Sequence, residues 1–272
     1  MGSFSLLFIM EDIVITSSSN QQIKKIRELL TRSKARSESG LFIAEGIRMV
    51  AETPPQRLEK IYISESFRSN PPDMRGLVLQ NPTVVKDSVF RAVSGTQHPQ
   101  GIMAVVRQTS YDADEILQAE DPLIVFLENI QDPGNLGTII RTAECAGVTG
   151  IIMSPGCADL YNPKTVRATM GSLYRMKLAR AENFTGCLET AGRRGITVYA
   201  AHLEGSHSLY AEDFRGPSGI LIGNEGNGLT AQAVQAAGRA IRIPMAGQAE
   251  SLNASVATAV IMYEAARQRI QS

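Results

Sequence analysis

The sequence predicts an α/β protein with two domains. Short apolar segments of strand length alternate with segments whose apolar residues recur at helical spacing, which is the pattern of α/β folds. One apolar run, Leu123–Leu127, is continuous, as expected for a parallel strand buried on both faces. Residues 107–121 are polar and acidic and are predicted to be a linker. A chain of 272 residues has room for one large or two modest domains.

The upstream domain is predicted over residues 17–106, after an N-terminal extension at 1–16. Residues 20–33 carry apolar side chains at helical spacing, which predicts an amphipathic helix. Strands are predicted at 41–44, 60–63, 77–79 and 101–106, and further helices at 45–52 and 87–93. The first ten residues are apolar but lack a basic start and a small-residue cleavage site, so no signal peptide is expected and translation can start at Met10.

The downstream domain is predicted over residues 122–272. Its strands are predicted at 123–127, 150–153, 197–201, 219–222 and 240–243. Its helices are predicted at 135–146, where Gly147 is placed to end the helix, and at 254–269. This order of strands and helices predicts an open sheet covered by helices.

Composition excludes several classes of protein. The chain has 27 basic residues (lysine and arginine) and 27 acidic residues (aspartate and glutamate), so its net charge is zero. Binding to nucleic acid therefore requires a local basic surface. Three cysteines and three histidines make no metal-ligand spacing, so reduced thiols and no metal are expected. No segment has the ~18 apolar residues of a membrane span, and a cytoplasmic protein is expected.

Three segments place polar or glycine-rich turns at strand ends, where open α/β sheets bind ligands. Residues 129–141, NIQDPGNLGTIIR, turn into a helix that Asn135 can cap. Residues 219–229, GILIGNEGNGL, have a glycine spacing that fits neither the Rossmann fingerprint nor a P-loop. Residues 241–257, IRIPMAGQAESLNASVA, put Ser251 and Asn253 before a helix. Each segment alone is also typical of an ordinary turn or helix cap.

Taken in order, the three segments resemble the signature motifs of the SpoU/TrmH family of RNA 2′-O-ribose methyltransferases, within the SPOUT superfamily. The phrases N-x-x-D-P-x-N-x-G-x-x-x-R, I-G-N-E-G-x-G-L and I-P-M-x-G-x-x-E-S-L-N-x-S-V-A occur without a gap. The likeness covers residues 122–270. Residues 17–106, with FIAEG at 42–46, resemble the small RNA substrate-binding domain of many members. The resemblance implies a trefoil knot in the downstream domain, which ordinary topology rules would not suggest.

The resemblance also implies a cofactor and a set of site residues. The cofactor is S-adenosylmethionine, and the residues implied to line it are Gly223, Ile243, Leu252, Leu203, Met245 and Gly247. The implied catalytic residues are Asn135, Arg141, Glu225, Ser251 and Asn253. The family assigns the arginine as general base, but a guanidinium stays protonated. We therefore expect Arg141 to hold a phosphate or the developing oxyanion, and Glu225 to orient Arg141 or Asn135 or to cap a turn.

RNA and a second copy of the chain are the expected partners. From residue 20 to 48, seven cations face three anions, which favours an RNA-binding surface over a merely solvated helix face. Its proposed members are Lys24, Lys25, Arg27, Arg32, Lys34 and Arg36. Family members are dimers. The final helix carries a stripe that suits an interface between subunits or packing within one chain, formed by Val256, Val260, Tyr263 and Arg267.

Two other functions compete with ribose methylation. A catalytically silent RNA-binding or ribosome-assembly protein could use the same fold, but it would need none of the five implied catalytic residues. A SPOUT relative could methylate a base, but the Ser-Leu-Asn phrase at 251–253 points to ribose. By analogy, the upstream domain favours ribosomal RNA over transfer RNA.

Overall fold

The computed structural model describes residues 14–72, 81–202, 207–248 and 250–270. The chain forms two compact units, Met1–Arg107 and Gln108–Ser272. The predicted strand at 77–79, the predicted cofactor residue Leu203 and most of the predicted N-terminal extension lie outside the described residues. Of the helices in these ranges, none is both long and apolar enough to cross a membrane.

The first unit is a four-stranded sheet covered by short helices. Its strands are β1 (Leu41–Glu45), β2 (Leu58–Ser64), β3 (Thr83–Val85) and β4 (Ile102–Arg107). Its helices are α1 (Gln21–Thr31), α2 (Ser33–Ser39), α3 (Ile47–Ala51), α4 (Glu65–Ser69) and α5 (Asp87–Val93). In the order β1-β4-β2-β3, β4 is antiparallel to both neighbours and β3 is parallel to β2.

Helix α1 forms where the apolar spacing predicts it. Asn20 caps it by accepting a hydrogen bond from the Gln22 amide at 2.8 Å. Its apolar face, Ile23, Ile26 and Leu29, is buried in the core of the first unit. The opposite face is exposed and carries Lys24, Lys25 and Arg27 of the predicted RNA surface.

The second unit is an open parallel sheet with helices. Its strands are β5 (Leu123–Leu127), β6 (Gly150–Met153), β7 (Leu178–Arg180), β8 (Thr197–Ala201), β9 (His207–Ser208), β10 (Ser218–Ile222) and β11 (Gly238–Arg242). Its helices are α6 (Ala113–Leu117), α7 (Pro133–Cys145), α8 (Pro163–Thr169), α9 (Phe184–Arg193), α10 (Ala231–Ala237) and α11 (Ala254–Ile270). The strand order is β7-β6-β5-β10-β8-β11-β9, and every pairing among these strands is parallel.

Two local predictions are wrong. Residues 107–121 do not form a simple linker, because α6 lies within them and buries Ile116 and Leu117 in the core of the second unit. Asn135 does not cap α7. Asp132 is the N-cap, with Pro133 in the first turn, and its side chain accepts a hydrogen bond from the Asn135 amide at 2.8 Å.

Candidate active site

The parallel order of the second unit brings two of the three motif loops to one edge of the sheet. Strands β5 and β10 are neighbours, with Leu127 beside Ile222 at their carboxyl ends. The chain leaves β5 for β6 on one side, whereas β10 pairs on the other, so the strand order switches direction here. In open α/β sheets such a switch opens a crevice for ligands. The loops after β5 and β10 therefore share one crevice.

One residue from each motif meets in a chain of hydrogen bonds. The Asn135 side-chain Nδ2 donates to Glu225 Oε1 at 3.0 Å. The Asn253 Nδ2 donates to Asn135 Oδ1 at 3.1 Å. The Asn135 amide thereby joins Glu225, which lies 90 residues away in the sequence, to Asn253, which lies 118 residues away. Arg141 and Asn135 were the two side chains that Glu225 was expected to orient, and the one that it contacts is Asn135.

Both amides are fixed in orientation by their other partners. Asn253 Oδ1 accepts hydrogen bonds from the amide and the hydroxyl of Ser255, at 2.9 and 2.7 Å, at the start of α11. Its Nδ2 is therefore directed at Asn135. Because a primary amide offers two donors and two acceptor lone pairs, Asn135 keeps one N–H and one lone pair beyond these contacts. Those two positions can engage a hydroxyl group.

Glu225 is an anchor for the loop after β5. Its carboxylate also accepts the backbone N–H of Gln131 at 3.1 Å and of Asp132 at 3.2 Å. Partial burial raises the pKa of Glu225, but the hydrogen bonds from Asn135, Gln131 and Asp132 outweigh it and hold the pKa below its ordinary value. A carboxylate stabilised in this way is a weak base at neutral pH.

The glycine-rich turn after β10 is tightly folded. A Cβ on Gly223 would lie 2.4 Å from the Gly228 carbonyl carbon, so only glycine fits there. Asn224 holds the turn, since its Oδ1 accepts the amides of Gly226 and Asn227, each at 2.9 Å. Its Nδ2 donates to the Asn129 carbonyl at 2.8 Å and ties this turn to the loop after β5.

Asp132 and Lys164 are site residues that the sequence did not single out. The Lys164 ammonium lies 2.8 Å from Asp132 Oδ2. The hydrogen bond from Lys164, with that from the Asn135 amide, holds the pKa of Asp132 below its usual value. An Asp-Pro pair at the start of a helical pattern is a recognised cap signal and would have identified Asp132. No motif marks Lys164, because it lies on α8, outside the three motif segments, and reaches Asp132 only through the packing of the fold.

Arg141 and Ser251 stand apart from the hydrogen-bond chain. Arg141 is exposed on α7, six residues and therefore about 9 Å along the helix axis from Asn135. Within the described part of the chain, no hydrogen bond or ion pair holds it. Ser251 is exposed two residues before Asn253. Both side chains are available to a ligand.

Five of the six residues predicted to hold the cofactor lie on the loops after β10 and β11, and Leu203 lies outside the described residues. Ile243 and Leu252 are half-buried, and Met245 and Gly247 are exposed. Gly223 opens the turn after β10. Half-buried aliphatic side chains beside exposed backbone fit an adenine ring, which needs apolar walls and edge hydrogen bonds. The described residues contain no group of three or more histidine, cysteine or acidic side chains that could hold a metal ion.

The basic surface of the first unit holds five of its six predicted members. Lys24, Lys25 and Arg27 are exposed on α1, and the first two line a groove of about 510 Å³ between α1 and α2. Arg32 and Lys34 are exposed. Arg32 lies 4.0 Å from Glu28, and Lys34 lies 3.8 Å from Glu38. Such exposed pairs are weak and can be exchanged for phosphate contacts.

Arg36 does not belong to this surface. Its side chain is buried at 4% exposure, and its Nη1 donates to the Leu29 carbonyl at 2.7 Å. The prediction that Arg36 contacts RNA is wrong, because its guanidinium serves the packing of α2 against α1. Sequence counts of charge cannot separate such a residue from a solvated one.

Comparison with known proteins identifies the class that this fold and site define. The model of the SpoU rRNA Methylase family matches residues 122–263, and that of the MRM3-like substrate binding domain matches residues 20–104. The Bacillus subtilis 23S rRNA (guanosine(2553)-2′-O)-methyltransferase RlmP is 32% identical, covering 92% of this chain and 97% of that protein. The Streptomyces viridochromogenes 23S rRNA (uridine(2479)-2′-O)-methyltransferase is 30% identical, with 93% and 92% covered.

Solved structures agree. The SpoU methyltransferase AviRb from Streptomyces viridochromogenes, in complex with AdoMet, superposes with a TM-score of 0.82 and 28% identity, covering 93% of this chain and 99% of that one. A structure described in terms of 2-OH methylation on tRNA matches only 56% of this chain, with a TM-score of 0.52 and 31% identity. The chain belongs to the SpoU rRNA methylase family. The prediction of an S-adenosylmethionine-dependent RNA 2′-O-ribose methyltransferase is confirmed.

Proposed function

We propose that this enzyme methylates one ribose 2′-hydroxyl of 23S ribosomal RNA in the cytoplasm. The support is the coverage of the comparisons. Relatives that cover more than nine-tenths of this chain are named for 23S rRNA, whereas the tRNA-related structure covers 56% of it. The two rRNA relatives methylate the ribose of different nucleosides, a guanosine and a uridine, so the resemblance does not select the nucleoside.

The reaction is an in-line displacement. Bound S-adenosylmethionine supplies an electrophilic methyl group on a sulfonium, and the departing thioether is neutral and needs no acid. The protein must therefore orient and activate a weak nucleophile, the ribose hydroxyl. We assign Asn135 to orient it, because its amide is fixed on both sides and keeps a free donor and a free acceptor position.

Glu225 and Arg141 take different roles in this scheme. Glu225 positions Asn135 rather than removing a proton, since its carboxylate already accepts three N–H groups. Arg141 stays protonated and stabilises a phosphate or the developing 2′-oxyanion. Ser251 lies at the same loop end as Asn253 and is assigned to the ribose. The hydroxyl proton passes to solvent as the methyl group is transferred.

The cofactor is assigned to the loops after β10 and β11. Gly223, Ile243 and Leu252 would lie along it, with Leu203, Met245 and Gly247 around the adenine. In this proposal the chain between β10 and α11 passes through a loop and forms the trefoil knot of the family. The support is the family membership together with the parallel placement of β11 beside β8.

A homodimer completes the proposal. One face of α11 packs within the chain. Its buried residues are Ser255, Thr258, Ile261, Met262 and Ala265. The stripe of Val256, Val260, Tyr263 and Arg267 lies away from that face, with Val256 47% and Tyr263 54% exposed. Large apolar side chains at such exposure favour a partner surface.

Sedimentation equilibrium tests the dimer. Replacing both Val256 and Tyr263 with aspartate should convert a wild-type dimer into a monomer of the same fold, because two charges would be buried without partners. Ile270→Asp is the control, since Ile270 is 84% exposed on the same helix. A wild-type monomer, or a dimer that survives the double substitution, would contradict the interface.

A methylation assay tests the reaction and separates it from a silent RNA-binding protein. Purified enzyme, labelled S-adenosylmethionine and 23S rRNA lacking its natural methyl groups are incubated, and the RNA is digested to nucleosides. The expected product is one 2′-O-methyl nucleoside, absent with Asn135→Ala. Label in a base-methylated nucleoside, or RNA binding without any label transfer, would refute the proposal.

A further inference from the structure

Lys164 reaches the active-site network from outside the three motifs. Its ammonium contacts Asp132 Oδ2 at 2.8 Å. The other oxygen of the same carboxylate, Oδ1, accepts the backbone N–H of Asn135 at 2.8 Å. Asp132 is therefore a bridge between a lysine on α8 and the residue at the centre of the site.

Asp132 is also joined to the second anchor. Its own backbone N–H donates to Glu225 Oε1 at 3.2 Å, the same oxygen that receives the Asn135 side chain. Two carboxylates thus stand on either side of Asn135. Without a cation nearby they would repel each other and the phosphates of an approaching RNA. Lys164 neutralises one of them.

The packing of α8 against α7 fixes where Lys164 stands. A Cβ on Gly137 of α7 would lie 2.6 Å from both the Ala168 Cβ and the Thr165 carbonyl oxygen. Only glycine allows this approach, and Gly137 belongs to the first motif phrase. Lys164 lies one turn before Ala168 on the same helix, so the close contact holds its backbone beside the start of α7.

We propose that Lys164 is a positioning residue for methyl transfer, which acts through Asp132 to hold Asn135 in the orientation that receives the ribose hydroxyl. The inference rests on the proposed role of Asn135. It predicts an effect on turnover rather than on binding, because the contact that Lys164 makes within the second unit is with Asp132, which holds Asn135.

The second unit contains a matched control. Lys177 pairs with Glu115 at 2.7 Å, and the side chains of that pair are 44% and 52% exposed, against 57% and 44% for Lys164 and Asp132. Among the described residues, Lys177 has no hydrogen bond or ion pair with a member of the network. An ordinary exposed ion pair contributes little, so Lys177→Met should leave every kinetic constant unchanged.

Single-turnover and steady-state methylation of 23S rRNA provide the first test. Lys164→Met should lower kcat about tenfold, the range expected when a reacting group is held less well. The KM for RNA, the melting temperature and S-adenosylhomocysteine binding should stay at wild-type values. Lys164→Arg should recover most of the rate because it keeps a cation near Asp132. A kcat equal to that of Lys177→Met would overturn the proposal.

A double-mutant cycle with Asp132→Asn separates this role from a direct RNA contact. Asparagine still caps a helix but offers no charge to Lys164. If Lys164 acts through Asp132, Lys164→Met should have little further effect in the Asp132→Asn background. The alternative is that Lys164 contacts an RNA phosphate directly. In that case the losses of kcat caused by the two substitutions would multiply, the KM for RNA would rise, and RNA binding would depend less on salt. Those results would overturn the proposal.

Asn135→Ala distinguishes a failure of the catalytic role of Asn135 from a failure of the positioning role of Lys164. If Asn135→Ala retains full activity, the proposed catalytic assignment fails and the role of Lys164 fails with it. If Asn135→Ala is inactive while Lys164→Met matches wild type, the catalytic assignment stands and only the role of Lys164 is overturned.

Discussion

Asn135 stands at the centre of the site because its amide has a fixed partner on each side. Glu225 receives its donor group and Asn253 supplies its acceptor group, so its two remaining hydrogen-bond positions point away from both. The same carboxylate holds the loop after β5 through two backbone amides. At the scale of single residues, the site is therefore preorganised before any ligand binds.

Arg141→Ala should abolish methyl transfer while leaving S-adenosylhomocysteine binding near wild type. Arg141 is exposed on α7 and the cofactor is assigned to loops after other strands, so the two functions separate. Arg141→Lys should rescue poorly, because a point charge does not reproduce the planar fork of a guanidinium. The measurements are a single-turnover assay and calorimetry, with Arg193→Ala on α9 as the control. Normal methylation by Arg141→Ala would remove it from the catalytic set.

Arg36→Ala should lower the stability of the first unit by about 1–3 kcal/mol, the cost of leaving a buried carbonyl without its donor. Thermal unfolding measures this, and Lys34→Ala, whose side chain is 84% exposed, should not change the melting temperature. RNA affinity per folded molecule should stay unchanged. An unaltered melting temperature with weakened RNA binding would restore Arg36 to the RNA surface.

The RNA surface itself is tested by replacing Lys24, Lys25 and Arg27 together. All three are exposed on α1. Filter binding over a salt series should show weaker RNA binding and a flatter slope, by roughly 0.7 to 0.9 for each lost phosphate contact. Turnover on saturating RNA should survive. An unchanged slope would mean that this face of α1 is only solvated.

At the scale of elements, several helices and strands were predicted from their apolar pattern, including the seven-residue α5, whereas α8, α9 and α10 were missed. α1 and α7 have apolar faces and α11 is apolar on more than one face, and β5, β6 and β8 fall where the apolar runs predict them. α8 and α10 bury few apolar side chains, Val166 in α8 and Ala233 in α10, so no apolar period marks them. Their caps, Asn162 and Thr230, were the available signals. β3, absent from the prediction, has only three residues.

α6 shows why the linker prediction failed. Its sequence is acidic, but Ile116 and Leu117 are buried while Asp114 and Glu115 are exposed. Ile116→Ala should destabilise the second unit by about 2–5 kcal/mol, as expected for a truncated core side chain. Ile270→Ala is the control, because Ile270 is 84% exposed. Equal melting temperatures for the two variants would mean that residues 113–117 are a linker, as the sequence predicted.

At the scale of the whole molecule, strand order creates the site and the sequence could not give that order. Asn135, Glu225 and Asn253 were each assigned by family resemblance, but their mutual contacts depend on β10 lying beside β5. No local pattern encodes that adjacency, because parallel neighbours are far apart in the chain. For the same reason the contribution of α8 through Lys164 was invisible before the packing was known.

Ligand binding gives a test that involves the complete chain. S-adenosylhomocysteine should raise the melting temperature, because a ligand of the folded state contributes about 2.7 kcal/mol at a concentration 100 times its Kd. NAD should do nothing comparable, since the turn at Gly223 lacks the Rossmann spacing. Gly223→Ala should lose the shift, because its Cβ would collide with the Gly228 backbone. A shift with NAD alone would contradict the cofactor assignment.

The central claim is that the network around Asn135 directs a methyl group to a ribose hydroxyl of 23S rRNA. The most direct measurement is a map of 2′-O-methyl sites in total RNA from the source organism with and without this gene. One site in 23S rRNA should disappear on deletion of the gene and return with the wild-type gene but not with the Asn135→Ala gene. An unchanged map, or restoration by Asn135→Ala, would contradict the central claim.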